Sequence, residues 1–293
     1  MNSGYEYRER LPPVADGLSV VDWLCRSRPH SDLVTWTARV ERGEISVDGR
    51  VATTGDRLAP GQRLAWRRPP WEEPAAPLGF AVLFRDADLV AVAKPRGLPS
   101  VPNGGFLEHT LLARVRRLFP GAVPLHRLGR GTSGLVLFAR SAGARRDVAA
   151  QWRDGRVEKE YLALVSGHPS AASFTVDAAI GPVPHPRLGS VHGASAGGRP
   201  ALSHVRVIAA RGDATLVSVS IPTGRPHQIR IHLAAAGHPL VGDPLYAAGG
   251  GLAPEPALPG ETGYWLHAHR LAFAHPSTRE RLEIECAPPP ALR

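Results

Sequence analysis

Between Arg67 and Pro77 the chain reads RRPPWEEPAAP. Its four prolines disfavour both a helix and a central strand, so no single element runs through it. The break divides 293 residues into a short first part and a second part long enough to bury a large core. The expected organisation is a polar arm over 1–14, a small module over 15–70, a linker over 71–77 and a main domain over 78–293.

In the first part, GLSVVDWLCRSR from Gly17 to Arg28 spaces Val20, Val21, Leu24 and Cys25 as on one helix face. DLVTWTARVER from Asp32 predicts a second short helix capped by Ser31 or Asp32. The period then changes. Residues 44–47, 50–52 and 63–66 read as short strands, with a hairpin turn at Asp48-Gly49. Beyond the linker, AVLFRDADLVAVAKP predicts two strands joined at Asp86–Asp88, LVLFA after Gly134 a buried strand, and residues 108–119 and 142–154 helices. Residues 182–200, rich in glycine and proline, read as an exposed loop.

The balance of 35 basic against 26 acidic residues leaves a net charge of +9, which favours a polyanionic partner such as nucleic acid. Only two cations are lysines, Lys94 and Lys159. Cys25 and Cys286 fit neither a disulfide framework nor a zinc site. The polar start MNSGYEYRERLPP lacks the apolar core of a signal peptide, and no apolar run approaches the ~20 residues of a membrane span. A cytoplasmic monomer with no membrane partner is expected.

The stretch HRLGRGTSGLVLFAR, His126 to Arg140, contains the spacing GxGxxG at Gly129, Gly131 and Gly134. A dinucleotide fingerprint needs a helix after its glycines, whereas here a strand follows. The chain also lacks GxxxxGK[ST], which excludes a phosphate loop of that kind. His227, His232, His238, His267, His269 and His275 cluster late, but no cysteine or carboxylate completes a ligand spacing. Hydrogen-bonded structural histidines are expected, with no metal and no cofactor.

Several separated segments nevertheless agree. HRLGRGTSG resembles the active-site signature of the RluA family of pseudouridine synthases, His-Arg-Leu-Asp followed by two variable residues and Thr-Ser-Gly. KPRG at Lys94, KEYLA at Lys159, TGRPHQIRIHLAAAGHPLVGDPLY from Thr223 and LHAHRLAFAHP from Leu266 resemble other blocks of that family, in its order. Residues 15–70 loosely resemble a small RNA-binding module first described in a ribosomal small-subunit protein, and Arg26, Arg28, Arg39 and Arg42 would make its helices basic.

The resemblance implies an α+β fold: a mixed, largely antiparallel sheet with flanking helices, preceded by a small α+β module. It implies structured RNA, ribosomal or transfer RNA, as partner, and isomerisation of a flipped uridine without a cofactor. Gly129 stands where the family has its catalytic aspartate, and glycine is neither nucleophile nor base. Tyr161 is expected to stack on the flipped base. Arg230 would orient the aspartate in the family; left without it, a buried cation needs another carboxylate, an anion, RNA phosphate or water. Arg127 and Leu266 complete the expected substrate contacts, and Lys94, Arg130, Lys159 and Arg225 the expected RNA contacts. Glu108, Asp154, Glu158 and Glu160 are the acids nearest in sequence that could substitute, whereas Asp243 is expected to be structural. Three readings stay open: an isomerase with an altered mechanism, a silent RNA-binding protein, and a pocket for a nucleotide or small anion at Arg230.

Overall fold

The computed structural model describes residues 1–293, which form two compact units, Met1–Glu73 and Pro74–Arg293. In the smaller unit, β1 (Tyr5–Arg10), α1 (Val20–Ser27), α2 (Leu33–Glu41), β2 (Ile45–Val47), β3 (Arg50–Val51) and β4 (Arg63–Arg68) give an antiparallel sheet in the order β1-β4-β2-β3. The helices begin where capping chemistry dictates. Ser19 Oγ accepts from the Asp22 amide at 3.1 Å, and Asp32 Oδ1 from that of Thr35 at 2.9 Å. Trp36, Leu24, Ile45, Leu64 and Trp66 form the buried centre. The polar arm expected over 1–14 is part of this unit's sheet: all six residues of β1 register against β4.

The arginines of this unit are largely engaged. Arg28 pairs with Glu9 and Arg42 with Glu44, each at 2.8 Å, while the Arg39 guanidinium lies 4.5 Å from the Trp36 ring and 4.8 Å from that of Trp66. Of the four, Arg26 and Arg42 are exposed, and Arg26 alone has no ion-pair or ring partner.

The larger unit comprises β5 (Ala81–Arg85), β6 (Leu89–Lys94), α3 (Leu111–Leu118), β7 (Val123–Pro124), β8 (Ser133–Ala139), α4 (Ala142–Arg153), β9 (Glu158–Ser166), β10 (Ser173–Val176), β11 (Ile180–His185), β12 (Gly189–Ala194), β13 (Ser203–Arg211), β14 (Ala214–Ser220), α5 (Gln228–Ala235), β15 (Leu266–Ala274) and β16 (Arg281–Glu285). Its main sheet runs β10-β13-β14-β9-β15-β8-β6-β5, with β16 paired to β15 and β7 to β8. Every pairing is antiparallel except β15 with β8.

Strand β8 is apolar from Leu135 to Ala139 because both its faces are covered. Leu135 and Leu137 pack with Ala144 and Val148 of α4, while Val136 and Phe138 pack with Leu111 and Val115 of α3. Residues 182–200 are not simply a loop: β11 and β12 make a separate two-stranded hairpin. Its period was hidden by Pro182, Pro184, Gly189 and Gly193, which break the usual strand composition.

Candidate active site

The turn at 129–132 is fixed by the sequence around it. Thr132 N–H donates to Gly129 O at 3.1 Å, closing the turn, and Ser133 starts β8. His126 anchors the entry, its Nε2 accepting from the Leu137 amide at 3.0 Å. Ser100 Oγ accepts from Leu128 N–H and donates to Leu128 O, at 3.0 and 2.8 Å. The Lys94 ammonium donates to Leu98 O at 2.7 Å and Pro95 O at 3.0 Å, and reaches Arg130 O at 3.4 Å. Gly97 N–H also donates to Arg130 O, at 2.8 Å. The KPRG segment is thus a clamp on this turn.

That burial corrects the expectation of RNA contact for both lysines. Lys94 is 1% exposed, and burial lowers its pKa to about 7. Lys159 is 7% exposed, and its amine donates to Pro222 O at 3.3 Å. Arg127 is exposed, whereas Arg130 and Arg225 are half-buried, their Nε atoms donating to Gly260 O and Pro200 O at 2.8 and 3.0 Å.

Arg230, on α5, has found another carboxylate. Its Nε and Nη2 donate to Asp243 Oδ2 and Oδ1, each at 2.7 Å, with the two side chains 3% and 1% exposed. Burial works against the guanidinium charge, but this fork overrides it and the pKa is raised. Asp243 also accepts from the amides of Leu245 and Tyr246. Arg230 Nη1, in contrast, is buried without a hydrogen-bond partner.

The residue that joins these parts is Tyr264, which sequence reasoning missed. Its ring lies 4.2 Å from the Arg230 guanidinium, and its hydroxyl 3.3 Å from Thr132 Oγ1. A Cβ at Gly129 would meet that hydroxyl at 3.2 Å and Thr132 Oγ1 at 3.7 Å, with no other side chain within 4 Å. A Cβ at Gly131 would come within 2.8 Å of the tyrosine ring. The two glycines therefore form the slot that the tyrosine fills. Tyr264 and Leu266 share one apolar cluster with Ile229 of α5, and half-buried Tyr161 packs against it and against Leu128 and Ala268. Burial pushes the Tyr161 phenol up to about 12, so it stays protonated at neutral pH.

None of the four candidate acids approaches Gly129. Glu108 reaches Arg117, Asp154 pairs with Arg156, Glu158 with Arg281 and Arg270, and Glu160 with Arg270 and Ser218. The late histidines hold partners instead of gathering: His232 bonds Ser203 and Ala178 O, and His267 and His269 both reach Cys286 O. No three His, Cys, Asp or Glu side chains come together as a ligand set.

A family model described as RNA pseudouridylate synthase matches residues 88–235, half of the chain. An uncharacterized RNA pseudouridine synthase of Synechocystis sp. is 41% identical over 276 residues, covering 93% of this chain and 95% of that protein. The dual-specificity RNA pseudouridine synthase RluA of Escherichia coli is 37% identical over 201 residues, covering 68% and 88%. The chain belongs to the RluA family of pseudouridine synthases. A solved structure, human RNA pseudouridylate synthase domain containing 1, aligns with a TM-score of 0.59 at 26% identity, covering 76% of this RluA-family chain and 89% of the human one.

Two half-buried histidines give the site a pH signature. Burial, aided by Lys159, lowers His126 to about 4. Burial, with Arg230 next, lowers His227 to about 3; its Nδ1 lies 2.7 Å from the Tyr246 hydroxyl. Unfolded, both titrate near pH 6.5. Below that value the unfolded chain binds protons at these histidines that the fold refuses, as it does at His30, His232 and His267, so this stability is intact above about pH 6.5 and falls as the medium is acidified towards 4. Each histidine contributes a slope of ~1.4 kcal/mol per pH unit. Urea midpoints should drop steeply between pH 7 and 5, and His126→Gln, which still offers an acceptor to Leu137, should make the slope shallower by one histidine's share. A midpoint constant over that range would contradict this account.

Proposed function

We propose that this protein binds structured RNA, ribosomal or transfer, and draws a uridine out of its stack towards Gly129, Tyr161, Arg230 and Leu266. There it isomerises the base to pseudouridine without a carboxylate at position 129. The observation that carries this reading is the Arg230–Asp243 fork: the cation is retained, balanced and aimed, although residue 129 offers it nothing. Tyr161 supplies an aromatic face for the base, and Leu266 an apolar edge. Arg127, Arg130 and Arg225 are the phosphate contacts in this reading.

Cofactor-free isomerisation suits a site built from arginine, tyrosine and leucine, and the net charge of +9 suits a polyanionic partner. Because Asp243 already balances Arg230, charge supplies no reason for a free anion there. The silent-binder reading is favoured by one observation, that no carboxylate lies within 4 Å of a Cβ at 129. Turnover separates it from an active enzyme.

Binding to a mixture of transfer and ribosomal RNA transcripts should weaken steeply with salt. Between 50 and 200 mM the loss should reach roughly a thousandfold if six phosphates are contacted. Arg127→Ala should lower affinity across sequences and reduce the salt slope by about one. Affinity that ignores salt would exclude RNA as the partner.

A further inference from the structure

We infer that the smaller unit carries its own site for single-stranded RNA, an aromatic and guanidinium face built from Tyr5, Tyr7, His30, Arg39, Arg68 and Trp71. The choice of RNA as ligand rests on the proposed function. The site itself lies wholly within Met1–Glu73 and uses none of the residues assigned to the uridine. Tyr5, Tyr7 and Trp71 also fall outside residues 15–70, the stretch that resembles an RNA-binding module.

The pairing of β1 with β4 assembles this face. Tyr5 stands opposite Arg68 and Tyr7 opposite Trp66, so the four side chains share one side of the sheet. Tyr7 stacks on Trp66 with ring centroids 5.0 Å apart, and Tyr5 meets Tyr7 edge-on at 4.7 Å. Trp66 is buried, whereas Tyr5, at the outer end of this run, is 48% exposed. Its ring is a platform that the fold supports from beneath and leaves open to a base. The Arg68 guanidinium lies 3.5 Å from the Trp71 ring. Asn2 fixes that indole in place: its Oδ1 accepts from the Trp71 amide at 3.1 Å, and its own amide donates to Trp71 O at 3.0 Å.

The cations of the face lack carboxylate partners. Glu9 is taken by Arg28 and Trp23, Glu44 by Arg42 and Trp66, and Glu73 by Asn2. Arg39 donates to Ser31 Oγ at 3.0 Å and Arg68 rests on aromatic rings, and neither forms an ion pair. Their charge is felt next door: partial burial, then Arg39, Arg28 and Arg68, hold His30 below the usual histidine range. A guanidinium stacked on an indole keeps its N–H edge for a phosphate. An exposed ring beside such cations matches a nucleic-acid strand, with a base on Tyr5 and phosphates at Arg39 and Arg68. An acidic peptide would meet the cations but has no flat group to place on Tyr5.

The test is fluorescence anisotropy of the full chain with a labelled, uridine-free single strand of about ten nucleotides, which gives the isomerisation site no substrate. The natural protein should bind it. Tyr5→Ala should weaken binding about five- to a hundredfold with the salt slope unchanged, while Tyr5→Phe should bind as the natural protein does. Arg68→Ala should reduce the salt slope by about 0.7, the share of one phosphate on a single strand. Ultraviolet crosslinking should join the strand to a peptide containing residue 5, a readout that needs no variant to fold. A loss at Arg68→Ala with none at Tyr5→Ala would leave a surface for anions in general, acidic peptides included, and overturn the assignment. A loss at Arg26→Ala with none at Arg68→Ala would place the strand on the helices and overturn it too. If structured transcripts bind but the uridine-free strand does not, this site alone falls; if neither binds, the proposed function falls with it.

Discussion

Gly134→Ala is expected to cost the larger unit ~4 kcal/mol or more, among the largest effects a single methyl group can have. Gly134 pairs with Ala268 where β8 meets β15 in the one parallel contact of the sheet. A Cβ there would stand 2.2 Å from Ala268 O and 2.6 Å from Ala268 N, against backbone that cannot swing aside. Its φ of +112° is a second obstacle, since side chains other than hydrogen rarely adopt it. Gly224→Ala is the control. It has open space around it and no positive φ, so it should change stability by less than about 0.5 kcal/mol. Urea unfolding of the two variants decides the matter; a loss below ~1 kcal/mol at Gly134 would mean that the strands are not in register there.

Asp243→Asn should destabilise by ~3–5 kcal/mol, because it leaves the Arg230 charge buried and unmatched. The asparagine keeps an oxygen for the amides of Leu245 and Tyr246, so the loss isolates the charge rather than the turn. Adding Arg230→Met should restore most of it, since methionine removes the stranded guanidinium charge while the neutral asparagine keeps its amide contacts. If the double variant is no more stable than Asp243→Asn, the penalty does not come from the stranded guanidinium.

Much of this arrangement was legible in the chain. The strand LVLFA was readable because both its faces are buried, and that reading also excluded a dinucleotide site, which would have needed a helix there. The family blocks located Tyr161, Arg230 and Leu266 and signalled the α+β class. What stayed hidden was pairwise. Nothing in YWLHAH marks Tyr264 as the filler of a slot between Gly129 and Gly131, more than 130 positions earlier, because the contact exists only once β15 lies beside β8. Lys94 and Lys159 misled for the opposite reason. Charge in a basic chain suggests phosphate, yet burial directs the Lys94 amine into three carbonyls. The hairpin over Ile180–Ala194 escaped because its glycines and prolines obscure a strand period.

The position of β15 has a consequence for how the molecule is made. It lies at the middle of the main sheet yet is among the last strands of the chain. Until it emerges from the ribosome, β8 and β9 each present an unpaired edge to whatever else is in the cell. The two half-sheets cannot be sealed early by local contacts, which delays folding and lengthens the interval in which a nascent chain is vulnerable to aggregation. The strand that brings Tyr264 to the glycine turn is also the one that ends that exposure. Synthesis must therefore have passed β15 before either the site or a protected sheet exists.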